Sequence, residues 1–325
     1  MVKQFTWDPD KSQVFDSSYE SQESLCTSAV SFSKDNGSSF EMNAPGKTLT
    51  LKQSTATDIV SWNPTADQET PVISVTGGEV IFDFAGNAQT LYVYNPFGDE
   101  TIKILNGRFL VHNVSSFISE SGRIYLDENS LTHILTSDVT DLTGSILYIN
   151  SSSLSIDSEN IKFGEFSISE SILNTNSKVL ALEGNDINIT NSKLEFYTTE
   201  FYTNGKMAFG QRITILDASF IIYSQKTSIS NSEFDIFNAS LLEISGQKDE
   251  DFSEGASFRF NFIKDNESGP NTSEIHFNNG SAFLASRLGT YGLICINGVP
   301  QTGTNWSKNI SWEMTSDRVL IVKLR

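Results

Sequence analysis

"DINITNSKLEF", residues 186–196, decides how this chain is read. Ile187 and Ile189 alternate with polar neighbours, and so do Leu194 and Phe196, as in a strand with one buried face. Between the two halves stand Asn191 and Ser192, a polar and small pair that fits neither an Asn-Gly hairpin nor a helix cap. The pattern is apolar, any, apolar, any, polar, small, any, apolar, any, apolar. It recurs as "IKILNGRFLV" from 102, "IYLDENSLTHI" from 124, "LYINSSSLSI" from 147, "FSISESILN" from 166, "ITILDASFII" from 213 and "SISNSEFDIF" from 228.

The second inward residue of each copy is Ile104, Leu126, Ile149, Ile168, Ile189, Ile215 and Ile229. Five positions later come Phe109, Leu131, Leu154, Leu173, Leu194, Phe220 and Phe234, all apolar and all expected inside. The anchors lie 22, 23, 19, 21, 26 and 14 residues apart. Steps near 20 suit a solenoid of β-coils, whereas barrels and sandwiches place turns every ~8–12 residues. Two residues after each anchor stand Asn106, Glu128, Ser151, Glu170, Asn191, Asp217 and Asn231, and the next position is almost always small. Asn and Asp tolerate left-handed backbone angles, and stacked polar corners form hydrogen-bonded ladders.

The repeat resembles the right-handed parallel β-helix superfamily: pectate lyases, autotransporter passengers and phage tailspike or adhesin domains. The fold expected is all-β, one right-handed parallel β-helix with irregular N-terminal coils and a C-terminal β cap. Its expected divisions are an N-terminal cap and early coils over 1–75, the β-helix over 76–288 and the cap over 289–325, where "GTYGLICINGV" and "WEMTSDRVLIVKLR" read as strands.

Charge limits the partners. With 40 acidic against 22 basic residues the net charge is −18, which repels nucleic acid. The start "MVKQFTWDPDKSQ" lacks the apolar run of a secretory signal, and no stretch is apolar enough for a membrane helix. A secreted or cell-surface protein without membrane insertion is expected, its signal removed. "APGKTLT" is no phosphate loop, because the required upstream glycine is Glu41. Neither a nucleophile elbow nor a zinc-peptidase motif occurs. His112 and His133 fall one coil apart, without an obvious third ligand, so no metal and no cofactor are expected. Cys26 and Cys295 are expected to be too far apart to pair.

The outward residues carry the functional expectation. Tyr125 and Tyr148 precede successive anchors and should stack, with Lys103 one coil below. The longest step holds "EFYTTEFYTNGKMAFGQR", expected to project Tyr197, Tyr202, Lys206 and Arg212 from a lengthened coil. Lys103, Tyr125, Tyr148, Tyr197, Tyr202 and Arg212 are therefore the candidate ligand-binding residues, since exposed tyrosines cover sugar rings while amides and hydroxyls bond to them. The expected activity is adhesion to a glycan or a cell-surface protein, with self-association as a further mode. The resemblance also implies an enzymatic alternative, a lyase, a hydrolase or a tailspike-like depolymerase. That reading needs paired carboxylates, for which Asp157 with Glu159 and Glu195 with Asp235 are the candidates.

Overall fold

The computed structural model describes residues 3–7, 11–26, 39–53, 57–62, 71–84, 88–95, 100–205, 209–264 and 270–325. The protein is a β-solenoid of about nine turns, nearly all β, with mostly parallel strand pairing. It divides into two compact units, Met1–Gly164 and Glu165–Arg325.

The second unit shows most plainly why the sequence coils. One column stacks Phe166–Ser169, Asp186–Thr190, Gln211–Leu216, Ser232–Phe237, Arg259–Ile263 and Ile294–Ile296. Its inward residues form unbroken ladders, Phe166–Ile187–Ile213–Phe234–Phe260–Ile294 and Ile168–Ile189–Ile215–Ile236–Phe262. Around the corner a second column stacks Ile172–Leu182, Lys193–Thr203, Ser219–Ser228, Leu241–Ile244 and Glu274–Phe277, with Leu173–Leu194–Phe220–Leu242–Ile275 inward. All these ladder residues are buried, each contributing about 2 kcal/mol by leaving water.

The corner between the columns is held by serines. Ser192 Oγ donates to the Thr190 carbonyl (2.6 Å) and accepts from the Ser171 N–H of the preceding coil (3.0 Å). Ser240 does the same with the Phe237 carbonyl (2.7 Å) and the Ala218 N–H (3.3 Å), and Ser273 then accepts from the Ser240 N–H (3.1 Å). All seven polar corner residues, Asn106, Glu128, Ser151, Glu170, Asn191, Asp217 and Asn231, adopt positive φ between 47° and 54°. The bend therefore requires the left-handed region even where Glu or Ser occupies it.

The first unit uses the same plan less regularly. Glu100–Leu105, Arg123–Asp127 and Ile146–Asn150 form one column, and Gly107–Glu120, Leu131–Leu142 and Ser153–Asp157 the next. Earlier coils, Phe40–Gln53 and Ile73–Asp83, pair across register shifts. Gly78, at φ 92°, packs so close there that a Cβ would meet the Ala44 carbonyl at 2.4 Å.

Two of the residues expected inward move. Leu131 is 39% exposed and Thr132 takes its inward place, in register with Phe109 and Leu154. The corner after Leu126 holds one residue more than its neighbours, with both Glu128 and Asn129 at positive φ, so every later side chain changes face. Ile229 is half-buried and outside any strand, because its 14-residue step is too short for a coil. The true rung is Ile236, paired with Ile215.

Caps close the columns. In the first unit Phe5 and Trp7 are buried, and their N–H groups donate to Gln22 Oε1 (2.8 Å) and Ser24 Oγ (2.7 Å). In the second, Leu320–Leu324 runs antiparallel to Glu274–Phe277 and pairs with Ile310–Met314, ending the parallel stack. The strands expected in "WEMTSDRVLIVKLR" are present. The start of "GTYGLICINGV", however, lies in a helix, Ala282–Thr290, which Ser281 caps through the Leu284 N–H (2.9 Å). Its buried Leu284 and Leu288 cover the core where a strand would leave it open.

Candidate functional site

The expected tyrosine column exists. Lys103, Tyr125 and Tyr148 are vertical neighbours in register, and the two rings lie 5.0 Å apart at 11°. Lys103 lies in register with Tyr125 on the preceding coil, and its ammonium is drawn to Glu100 (3.1 Å). The shared faces of a stacked pair are closed to ligands, so Tyr125 and Tyr148 offer solvent their edges, hydroxyls and outer faces only.

Tyr197 and Tyr202 are not in a projecting loop. Both sit on one strand, Lys193–Thr203, whose alternation changes phase between Phe196 and Phe201, so that Leu194, Phe196, Phe201 and Thr203 all face inward. Tyr197 stacks on Tyr223 of the next coil, 4.9 Å apart at 22°. Tyr202 lies in register between Ala181 and Ser228. Lys206 falls outside the described residues. Tyr223 was not singled out from the sequence, although its place in "FIIYSQ", 26 residues after Tyr197, carries the signal.

Arg212 belongs to a third place. It precedes an inward isoleucine and donates through Nε to Asp235, a carboxylate with no solvent exposure. Beside it, Arg259 pairs with Glu233 (2.8 Å), and Asp186, Arg212, Glu233 and Arg259 stack with alternating sign. Asn261 Nδ2 donates to both Asp235 Oδ1 (2.7 Å) and Glu233 Oε1 (3.2 Å). Sharing one nitrogen holds these two oxygens within roughly 6 Å, near the spacing of about 5–5.5 Å used by retaining glycosidases. Phe209 lies against the Arg259 guanidinium, 5.0 Å from its ring centre.

The expected carboxylate pairs fare differently. Glu195 shares a column with Asn174 and Ile221, while Asp235 shares one with Thr214 and Asn261, so the two are not brought together. Asp157 is hydrogen-bonded to His133 Nε2 at 3.0 Å. His112 and His133 are neighbours, as expected from their spacing, with ring centres 5.8 Å apart. Burial, and then the neighbouring His133, hold the His112 imidazole below its ordinary pKa. Among the described residues no three His, Cys, Asp or Glu side chains are placed to hold one metal ion. Cys295 is buried and free, its thiol pushed up to about 11 by burial, and the side chain of Cys26 lies outside the described residues.

Shallow grooves run beside the corners. In the first unit one of about 390 Å³ is lined by Lys47, Gly78, Asn106, Gly107 and Arg108; in the second, one of about 500 Å³ passes Ile172, Asn191, Lys193 and Leu241. Among the described residues no helix is long and apolar enough to cross a membrane. No protein-family model, no curated protein and no solved structure matches this chain.

Proposed function

We propose that the protein is a non-enzymatic, secreted or cell-surface β-helix of the autotransporter-passenger kind, adhering through its outward strands to glycan or another cell-surface protein. The observation that carries this reading is the recurrence of stacked tyrosines on outward columns of both units, Tyr125 with Tyr148 and Tyr197 with Tyr223. Each pair is set among amides, hydroxyls and mutually neutralised charges on a backbone that coil stacking makes rigid. Such a surface is pre-organised, so little ordering entropy opposes binding. The test is retention of the protein on immobilised oligosaccharides together with sedimentation over a concentration series. Retention on glycan supports adhesion. No retention combined with concentration-dependent assembly replaces it with self-association.

A second reading, a polysaccharide lyase or glycoside hydrolase of the tailspike type, draws on Glu233 and Asp235. Their spacing favours it, while the full burial of Asp235 and the two arginines leave little room for a sugar oxygen between them. Incubation with neutral and acidic polysaccharides decides between the readings. New reducing ends or unsaturated uronates that disappear in Glu233→Gln overturn the adhesion reading.

A further inference from the structure

We propose that the gap beneath Tyr197 is a subsite for one neutral pyranose ring, an inference that rests on the glycan-binding reading. Tyr197 and Tyr223 form a two-ring stack, but the residue in register on the other side of Tyr197 is Asn176, short and exposed. The column thus loses one aromatic rung, leaving a slot about one coil high, ~4.8 Å, under a ring that is 45% exposed. A flat-lying sugar ring fills a slot of that height, placing its apolar C–H face against the tyrosine.

The walls of the slot suit hydroxyl groups. Next along the two strands Ser177 Oγ donates to Thr198 Oγ1 (3.1 Å), and on the Tyr197 coil itself Lys193 pairs with Glu195 (2.9 Å), two positions from the ring. Behind the slot, nearest the backbone, is the short Asn176 amide, with two donors and an acceptor for vicinal hydroxyls. Beside Tyr125 in the first unit, the residue in that register position is instead Lys103, whose ammonium is drawn to Glu100. A neutral sugar is specified because the local charges are already paired and the net charge of −18 disfavours an acidic polysaccharide.

Asn176→Tyr tests the slot by filling it with a third stacked ring while keeping the aromatic surface. The probes are immobilised oligomers of glucose, galactose, mannose and N-acetylglucosamine, with a uronic-acid oligomer alongside. Wild type is expected to be retained by at least one neutral oligomer, and Asn176→Tyr to weaken that retention at least tenfold with an unchanged melting temperature. Asn188→Tyr, which adds an equal ring on another exposed column, retains full binding. If Asn176→Tyr binds as wild type does, or both variants lose binding equally, the slot is overturned while the glycan reading stands. Preference for the uronic-acid oligomer overturns the neutral class. If wild type binds none of the probes, both the slot and the glycan reading fail.

Discussion

Two corners of the coil, at Asn191–Ser192 and at Asp127–Ser130, perform one task with different residue counts. In the first, Leu194 stands five positions after Ile189, and both are fully buried. In the second, the inward Thr132 stands six positions after Leu126, and Leu131 is left in solvent. Ser130 takes over the small buried position, its N–H and Oγ both reaching Ser152 Oγ at 3.1 Å. The extra residue spares the corner and alters the strand that follows. A hydroxyl enters the core there, and Thr132 Oγ1 has no partner. It lines a void of about 10 Å³ among Phe109, Leu126, Ile134, Leu147 and Leu154, marginal for one water and offering it a single polar group. Corner length sets the phase of the whole strand.

The most severe way to break this contrast is to shift the strand without lengthening its corner. A glycine inserted between Leu194 and Glu195 leaves the five-position corner intact and would turn Glu195 inward and the buried Phe196 outward. The lost apolar burial and the buried charge together exceed about 4 kcal/mol. We expect loss of the cooperative thermal transition, followed by circular dichroism; a melting temperature within a few degrees of wild type would refute phase control.

The alternation in "DINITNSKLEF" made the coil legible because a period of two can be read from residue type alone. The positive φ at all seven corners was legible too, from the spacing of Asn and Asp, and it extended to Glu128, Ser151 and Glu170, which composition alone does not flag. The extra residue between Leu126 and Thr132 was concealed by Leu131, which is apolar and falls where the repeat expects an inward side chain. The closing helix was masked because "AFLASRLGT" is short and follows a long run of strands. Of the candidate site, the Tyr125–Tyr148 column could be read from register. The link between Arg212 and Asp235 could not, since it depends on which outward side chains reach across coils.

A milder change targets the serine ladder. Ser192→Ala removes the acceptor of the Ser171 N–H in a buried setting, and should cost about 2 kcal/mol. Denaturant unfolding measures it, and a change below about 0.5 kcal/mol would mean that another acceptor takes over. The long corner gives the opposite sign. Thr132→Val exchanges an unpartnered hydroxyl for a methyl of the same shape, and should stabilise by about 1 kcal/mol. A loss of stability would show that Thr132 is hydrogen-bonded in solution.

The smallest effect concerns the histidines that the long corner places together. Because Thr132 points inward, His133 points outward, beside His112 and bonded to Asp157. His112 Nε2 is buried without a partner, and its pKa lies below the ordinary 6.5 through burial first and His133 second, opposed by Asp83 and Glu79. The unfolded chain therefore binds more protons at this site than the folded one once the pH falls below about 6.5. Stability is complete above that pH and declines beneath it, until the folded imidazole also protonates. Glu274, held below its ordinary value by its bond to His276, acts in the same direction but only below about 4.5, so the two windows separate. His112→Gln should thus flatten the fall in melting temperature between pH 7 and 5.5 while leaving the fall below pH 4.5 in place. An undiminished fall between pH 7 and 5.5 would assign it to other groups and remove His112 from the acid response.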